Sequence, residues 1–545
     1  SGWECVTPAV GASGSLTCRN AALFSTAGPQ VFNLVVDVDI SVADMGVICN
    51  VANGRSDNLD TSLGNNTGSA CSVVQKIIVD RGGDSNEMAC TAAPNDCTLR
   101  GAINKVHLLG ATGMVIRFNP GLVRVTLDAS LPALTATGTS IAGLAGVPVI
   151  DGIGIASGPM FRIDTDEARI SGLDLVNAPD INILVASGQR NEIDNNTVGF
   201  YRGLANCGAF GSGRFSSIGI EIDADGFGGV NPSVWIHDNL VACNSSFGII
   251  AYGGDDVVIG ITPEGSIGRN WVGMDVSNNV FPNGVGIGLL ANGANGARRN
   301  RIRNNVIAHN NDAGVWLNGT GVQNLNSTAS NNISANIINN NGKNNGAGGI
   351  YLSNAAFFNG IGGSNEGDDN LIYANAGNGI SHYSSDFNAI LGNQIGATQD
   401  GQGNNTGNGI LIDKSDGTWV GGIFVLLGSF ERGNIIGGNT LNGVLLANEA
   451  KNTTITGNRI GVDGASVARP NGANGVAIQS GAYSNTVGGE TVARINIIVN
   501  NGGNGIAIEG STTSTNTITL NDIGVNSALL AAQTPNLDRQ RSGVP

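Results

Sequence analysis

Charged residues are scarce in this chain of 545 residues. Asp, Glu, Lys and Arg together make up 13% of it, about half the usual share. The basic residues are the rarer ones, with 27 Lys and Arg against 42 Asp and Glu and a formal net charge of −15. Because nucleic-acid binding needs clustered Lys and Arg, this balance argues against a nucleic-acid partner. No run of 18 apolar residues occurs, so we expect no membrane span.

Histidine is also rare, with four residues, and the eight cysteines form no Cys-x-x-Cys pair, which argues against a zinc site. An even number of cysteines in a chain with few charges favours disulfides formed outside the cytosol. Eight buried thiols in a cytosolic protein are the alternative. Pairing by proximity along the chain predicts four bonds: Cys5–Cys18, Cys49–Cys71, Cys90–Cys97 and Cys207–Cys243.

Glycine, at 84 residues, is about twice as frequent as usual, and Asn and Ser are abundant, so disorder is the first possibility to test. A disordered chain lacks apolar surface to bury, whereas 41% of this chain is hydrophobic and its mean hydropathy is +0.06. The apolar residues also recur in short, regularly spaced clusters, which we call pulses. We therefore expect an ordered protein.

The segment 151–526 repeats itself. Its most similar copies are Gly-Asn-Gln-Ile-Gly at 392–396, Gly-Asn-Arg-Ile-Gly at 457–461 and Asn-Asp-Ile-Gly at 521–524, with their asparagines 65 and 63 positions apart. Three apolar pulses in each such interval give roughly 21 residues per pulse, the coil length of a parallel β-helix. We therefore predict a β-helix of about 18 coils. Leucine-rich repeats and propeller blades have other frames and lengths.

Each pulse alternates Ile or Val with polar residues and ends in Asn and Gly. Side chains alternate between the two faces of a strand, so the Ile and Val side chains are expected to fill a narrow core. Asparagines at equivalent corners of successive coils can stack and hydrogen-bond to one another. Glycine suits the left-handed backbone of such corners.

The segments outside the repeats have other patterns. Within 1–75, a long period-2 strand at 32–40 and shorter strands near the cysteines predict a small, incomplete antiparallel β-sandwich. Within 76–150, a strand at 76–80 precedes a helix near 98–107 that Asp96 or Thr98 caps. This helix would cover the open first coil of the β-helix. Residues 527–545 form a tail that carries no obvious cap.

Two stretches carry a resemblance. The Trp-x-Cys at 3–5, the following cysteine, the long alternating strand and the Asn-x-Ala strand resemble the second half of a conserved-repeat β-sandwich domain of bacterial and archaeal surface proteins. The run Cys-Thr-Leu-Arg-Gly-Ala at 97–102 resembles the CSLREA-type domain, although Gly101 stands where that family has Glu. The resemblance implies an all-β extracellular or cell-surface protein with a right-handed parallel β-helix. Since the chain begins with Ser1, we expect a processed product or a fragment.

Candidate chemistry lies between 200 and 305. The stretch Val-Trp-Ile-His-Asp at 234–238 is similar to the Trp-Ile-Asp-His of pectate lyases with His and Asp transposed, and it also fits an ordinary repeat strand. Asp255-Asp256 is similar to the acidic pair of polygalacturonases. Asp223 and Asp225 share one face of a strand and could hold Ca²⁺ or act on a sugar, unless they are simply solvated.

Arginines and aromatic residues complete this candidate face. Arg301 and Arg303 share a strand face and could bind a uronate or sulfate, or they could form a solvated strand edge. The catalytic candidates are Asp223, Asp225, Asp255, Asp256, His237 and Arg301. The ligand-binding candidates are Tyr201, Trp235, Tyr252, Trp271, Arg298, Arg299, Arg301 and Arg303.

The regular repeats leave no insertion large enough for an obvious cleft, and we expect both ends of the chain to be unfinished. We therefore expect a secreted surface protein, structural or adhesive, whose partners are copies of itself or a neighbouring surface protein. Such copies would join head to tail by β-strand addition into a filament or sheath. The alternatives are a polysaccharide lyase or glycoside hydrolase that uses the 200–305 face, and a monomeric carbohydrate-binding adhesin. No cofactor is expected, apart from a possible Ca²⁺ ion.

Overall fold

The computed structural model describes residues 4–6, 15–19, 47–54, 66–73, 77–91, 93–143, 148–202, 207, 215–223, 234–293, 295–324, 327–396, 403–422, 432–491 and 494–524. The chain divides into two compact units, 1–75 and 76–545. Among the described residues, no helix is long and apolar enough to cross a membrane.

The described part of the first unit consists of two antiparallel strand pairs. Glu4–Val6 pairs with Thr17–Arg19, and Val47–Asn53 pairs with Thr67–Val73. A disulfide joins directly opposed cysteines in each pair, Cys5 with Cys18 and Cys49 with Cys71, as predicted. The strand expected at 32–40 lies outside the described residues.

The second unit is a right-handed parallel β-helix with three sheets, which follow one another along each coil and are named A, B and C in that order. Sheet A contains Phe161–Asp164, Ile181–Ser187, Ile218–Asp223, Phe247–Tyr252, Val285–Leu290, Val315–Asn318, Ile350–Ser353, Ile380–Tyr383, Ile410–Asp413, Val444–Ala447, Val476–Ile478 and Ile506–Ile508. Sheet B contains Ile77–Val79, Val115–Phe118, Ser140–Ala142, Arg169–Ser171, Asn191–Asp194, Val234–His237, Val258–Ile259, Arg301–Arg303, Asn332–Ser334, Gly360–Gly362, Ala389–Leu391, Trp419–Gly421, Thr454–Thr456, Thr486–Gly488 and Thr517–Thr519. Sheet C contains Arg124–Thr126, Val149–Asp151, Asp174–Val176, Thr197–Val198, Leu240–Val241, Trp271–Val272, Val306–Ala308, Ile337–Asn339, Leu371–Tyr373, Gln394–Gly396, Ile435–Gly437, Arg459–Ile460, Asn496–Ile498 and Asn521–Ile523.

The coils are longer than the sequence pattern predicted. Val476 and its register partner Ile506 lie 30 positions apart, so a typical coil has about 30 residues rather than 21. The repeat near 63 therefore spans two coils, because Asn434 lies between Asn393 and Asn458 in one ladder of hydrogen bonds. The prediction of about 18 coils is wrong, since the largest sheet in the described residues has 15 strands.

Asparagine ladders run through the helix, as predicted. At the turn between sheets B and C, Asn336 accepts hydrogen bonds from the backbone and side-chain nitrogens of Asn305, both at 3.0 Å, and its own amide donates to Asn370 at 3.0 Å. This ladder contains eleven asparagines: Asn196, Asn239, Asn270, Asn305, Asn336, Asn370, Asn393, Asn434, Asn458, Asn496 and Asn521. Because almost all of these amides are buried, the ladder satisfies backbone groups that water does not reach.

The helix expected near 98–107 spans Leu99–Leu109, and it buries Leu99, Ala102, Ile103 and Val106. Thr98 caps it by accepting a hydrogen bond from the Gly101 backbone, and Gly110 ends it in a left-handed conformation. A Cβ atom at Gly101 would lie 1.8 Å from the Glu87 carbonyl oxygen. Only glycine fits at this position. The predicted Cys90–Cys97 disulfide closes the loop before the helix.

Candidate functional site

The candidate residues between 200 and 305 do not lie on one face. Because each coil turns through three sheets, neighbours in sequence point in different directions. Sheet A carries Asp223 and Tyr252, sheet B carries Trp235, His237, Arg301 and Arg303, and sheet C carries Trp271. Asp255, Asp256, Arg298 and Arg299 lie in turns between sheets A and B, Tyr201 follows a strand of sheet C, and Asp225 lies outside the described residues.

An open depression of about 540 Å³ on sheet B gathers several of these candidates. We call it the Trp235 groove. Trp235, Val258 and Arg301 form its floor, because they are register partners on three successive coils and point outward from the same column. Asp256 and Arg299 line one side. The residues that flank these outward side chains in the strands, such as Ile236 and Ile302, are buried in the core and fix the strands in place.

The other side of the groove is formed by an insertion between sheets B and C. Ile261 pairs antiparallel with Ile267, which makes a short hairpin whose Thr262, Pro263 and Gly265 face the groove. The Thr262 hydroxyl accepts a hydrogen bond from the Ser266 backbone at 3.1 Å and tightens the turn. This insertion therefore shapes one side of an open depression.

The acidic pair beside the groove is held in ion pairs. Asp255 is fully buried and lies 3.1 Å from Arg298 Nη2 and 3.0 Å from Arg299 Nη2. Burial raises the pKa of Asp255, while the charge of Arg298 opposes this rise. Asp256 Oδ2 lies 2.9 Å from Arg299 Nη2, and the hydrogen bond that Arg299 donates to Asp256 raises the pKa of Arg299. Both carboxylates and both arginines thus neutralise each other.

Arg301 differs from these arginines. Its side chain is exposed, lines the groove and has no acidic partner among the described residues. Arg303, two residues on, forms a salt bridge with Asp368 instead. The Trp235 groove therefore combines an indole ring with one uncompensated positive charge. That combination suits a ligand with an apolar ring face and an anionic group.

His237 is not a free base. Its Nε2 lies 2.9 Å from Glu192 Oε1 and its Nδ1 lies 2.9 Å from Asp238 Oδ2. Burial lowers the pKa of His237, but the hydrogen bonds with Glu192 and Asp238 outweigh this and leave the pKa above its usual value. His237 thus joins a charge cluster with Glu192, whose register partner is Trp235. Glu192 lies 45 residues before His237, so sequence patterns did not bring it into the site.

A second group of acidic side chains lies on the outer face of sheet A. Glu221 and Asp223 are two residues apart on one strand and point the same way. Burial, together with the charge of Asp223, raises the pKa of Glu221 to about 7. Asp223 accepts a hydrogen bond from Asn292 at 3.3 Å and has Tyr252 as its register partner. The sequence pattern identified Asp223 and Tyr252 but not Glu221.

The remaining candidates have structural surroundings. Trp271 packs against a buried cluster of Met274, Val306 and Ala308 outside the main core. The disulfide Cys207–Cys243 forms as predicted. Among the described residues, no group of three or more His, Cys, Asp or Glu side chains is arranged to hold a metal ion.

Comparison with known proteins gives no family. No family model matches the chain, and no curated protein matches it. Among solved structures, the A-module of the Azotobacter vinelandii mannuronan C-5 epimerase AlgE6 shares 16% identity at a TM-score of 0.40, covering 78% of this chain and 94% of that one. The Dettilon tailspike protein shares 14% at 0.42, covering 78% and 66%. The Streptococcus pneumoniae surface adhesin PfbA shares 11% at 0.37, covering 76% and 88%.

Proposed function

We propose that this protein is an extracellular surface protein of the adhesive kind that binds an anionic polysaccharide in the Trp235 groove. The observation that carries this proposal is the outward column in which Trp235 and Arg301 stand two coils apart with only Val258 between them. The indole ring offers a stacking surface for the apolar face of a sugar ring. The Arg301 guanidinium offers a bidentate partner for a carboxylate or sulfate.

The surroundings of the groove support binding rather than bond cleavage. Asp255 and Asp256 are held by arginines, and His237 is held between two carboxylates. A general acid or base has to be free to exchange a proton with the substrate. The four disulfides support an oxidising location outside the cytosol.

The test uses oligogalacturonate, a chain of uronic acids, and its methyl ester, which has the same rings without the charge. Calorimetry should detect binding of the acid to the native protein. Arg301→Gln should bind the acid roughly ten- to a hundredfold more weakly. Both proteins should bind the ester much more weakly than the native protein binds the acid. Arg269→Gln is the matched control, because Arg269 is exposed but bonds to the Asn304 carbonyl away from the groove. Equal affinity of the native protein and Arg301→Gln for the acid would refute the proposal.

One observation favours a second function, a glycoside hydrolase or polysaccharide lyase on sheet A. Glu221, with its pKa raised to about 7, can hold a proton beside the second carboxyl group of Asp223, and glycosidases use such a pair of carboxyl groups. A panel of neutral and acidic glycans, assayed for new reducing or unsaturated ends, tests this. Activity that disappears in Glu221→Gln and Asp223→Asn would support the enzyme. Absence of product, or activity retained by both variants, would count against this site.

Assembly of copies head to tail by β-strand addition remains a proposal as well. The strand expected at 32–40 and the tail at 527–545, which would make that contact, lie outside the described residues. Electron microscopy of the native material, together with its mass in solution, tests the idea. Single particles of one chain would remove the filament, whereas regular fibres would support it.

A further inference from the structure

The outward column of sheet B continues well beyond the Trp235 groove. From Arg301 it passes through Asn332, Gly360 and Ala389 to Trp419, each residue being the register partner of the one before. Trp235 and Trp419 thus lie at the two ends of a column that spans seven successive coils. At about 4.8 Å per coil, the six intervals between them span roughly 29 Å.

Two exposed phenylalanines lie at the corners that precede the far half of this column. Phe358 and Phe387 are 59% and 41% exposed, and their rings stack with centroids 5.4 Å apart. Each precedes an outward residue of sheet B by two positions, Gly360 and Ala389 respectively. Those two positions carry almost no side chain. At the end of the column, Trp419 is fixed by a hydrogen bond from its Nε1 to the Gly421 carbonyl at 2.9 Å.

The fold itself does not require phenylalanine at these corners. Phe358 and Phe387 have φ angles of 52° and 53°, a left-handed conformation that bulky residues resist. The same corner of neighbouring coils holds Ser330, Gly417 and Asn452 in the same conformation. The backbone N–H groups of Ser330 and Gly417 donate hydrogen bonds to the next coil, as those of Phe358 and Phe387 do. Both rings are exposed and lie outside the core, and the backbone that carries them has a conformation that bulky residues resist. Such features are found preferentially at functional positions.

We infer that one extended polysaccharide chain lies along this strip, parallel to the axis of the β-helix, with its anionic groups at Arg301 and its sugar rings against Trp235, the Phe358–Phe387 pair and Trp419. This inference rests on the proposed function and deepens it, since it specifies a long chain rather than a short oligosaccharide. Continuity supports it, because Trp235, Arg301 and Trp419 belong to one column. The distribution of charge supports it as well. Arg301 carries the single uncompensated charge in the described part of this column, and it lies between the two tryptophans, nearer to Trp235.

The test compares a trisaccharide and a decasaccharide of oligogalacturonate as probes. In Phe358→Ser/Phe387→Ser, the decasaccharide should bind about tenfold more weakly while the trisaccharide binds as before. In Phe358→Tyr/Phe387→Tyr, which keeps both rings, the decasaccharide affinity should return. The serine variant is expected to fold, because Ser330 and Ser484 already occupy this corner in other coils, and its thermal midpoint checks this.

The outcomes separate the two proposals. Unchanged decasaccharide affinity in the serine variant, with weaker binding of both probes by Arg301→Gln, overturns the long strip and leaves the Trp235 groove intact. Failure of the native protein to bind either probe overturns both. A native protein that is oligomeric, and that becomes monomeric in the serine variant, would assign the phenylalanines to contacts between copies and overturn the inference.

Discussion

Trp235 and Arg301 are 66 positions apart in sequence, yet they stand in one outward column of sheet B with only Val258 between them. The distance along the chain amounts to two coils, and the parallel register brings both side chains to the same groove. If one ligand contacts both, the substitutions should not be independent.

We therefore predict coupling between these two residues. Trp235→Leu should weaken oligogalacturonate binding roughly tenfold, because the stacking surface is lost. Once Arg301→Gln has been made, the same substitution should have a smaller effect. A double-mutant cycle measured by calorimetry gives the coupling. Strictly additive effects would mean that the two side chains do not contact one ligand.

The asparagine ladder should be a strong source of stability. The side chain of Asn336 is buried and makes five hydrogen bonds, including donation to the Ile302 and Ser334 carbonyls at 2.8 Å. Asn336→Ala removes all five of these bonds and leaves buried groups such as the Asn305 backbone N–H without this acceptor, so we expect a loss of roughly 3–5 kcal/mol in the free energy of unfolding. Denaturant unfolding measures it. Asn332→Ala, an exposed asparagine four residues earlier, is the control and should cost less than about 1 kcal/mol.

A buried histidine should make stability depend on pH. His382 takes a core position between Leu352 and Ile412, neither ring nitrogen has a hydrogen-bond partner, and burial lowers its pKa to about 3. The unfolded chain binds a proton near pH 6.5 and the folded chain does not. Stability is therefore lost as the pH falls from about 6.5 towards 3, at up to about 1.4 kcal/mol per pH unit.

The variant His382→Leu should remove this dependence and raise the denaturant midpoint at neutral pH. The control Ile412→Leu changes the same core column without a titratable group, so it should keep the pH slope of the native protein. A slope that is the same in His382→Leu and in the native protein would show that the imidazole finds a partner or water in the folded state.

Glu221 should have the opposite effect on the pH profile. Its folded pKa of about 7 lies above the ordinary value of 4.5, so the unfolded chain releases this proton first as the pH rises. Stability is then lost between about pH 4.5 and 7 and stays reduced above it. Glu221→Gln should be more stable than the native protein at pH 8, and Asp223→Asn should lower the pKa of Glu221.

Unfolding midpoints across this pH range measure the Glu221 effect, and a carboxyl titration followed by NMR reports the pKa directly. Glu264→Gln is the control, because Glu264 is an exposed carboxyl in the hairpin turn that borders the Trp235 groove. A Glu221 that titrates near 4.5 would remove both this effect and the support for an enzyme on sheet A.

Several features could be predicted from the sequence because they depend on local patterns. Alternation of Ile and Val with polar residues gave the inward and outward faces of strands such as Ile410–Asp413. Repeated asparagines gave the ladders, and cysteines that lie close in the chain gave all four disulfides. The helix at Leu99–Leu109 followed from its capping threonine and its apolar face.

The coil length could not be predicted in the same way. Successive coils differ in their turns. The most similar copies, at Asn393 and Asn458, therefore lie two coils apart, and the coil that contains Asn434 between them does not stand out in the sequence. The sequence shows periodicity, but it does not show how many turns of the helix one period contains.

The candidate site was decided by the tertiary structure. The sequence by itself determined that Trp235 and Arg301 point outward from strands, because alternation along a strand fixes which side chains face the core. Only the register of the sheets decided that they meet, that Asp255 is neutralised by Arg298 and Arg299, and that Glu221 is buried enough to keep its proton. Register depends on the length of every intervening turn and on hydrogen bonds between coils, and those interactions exist only once the chain has wound into its three sheets.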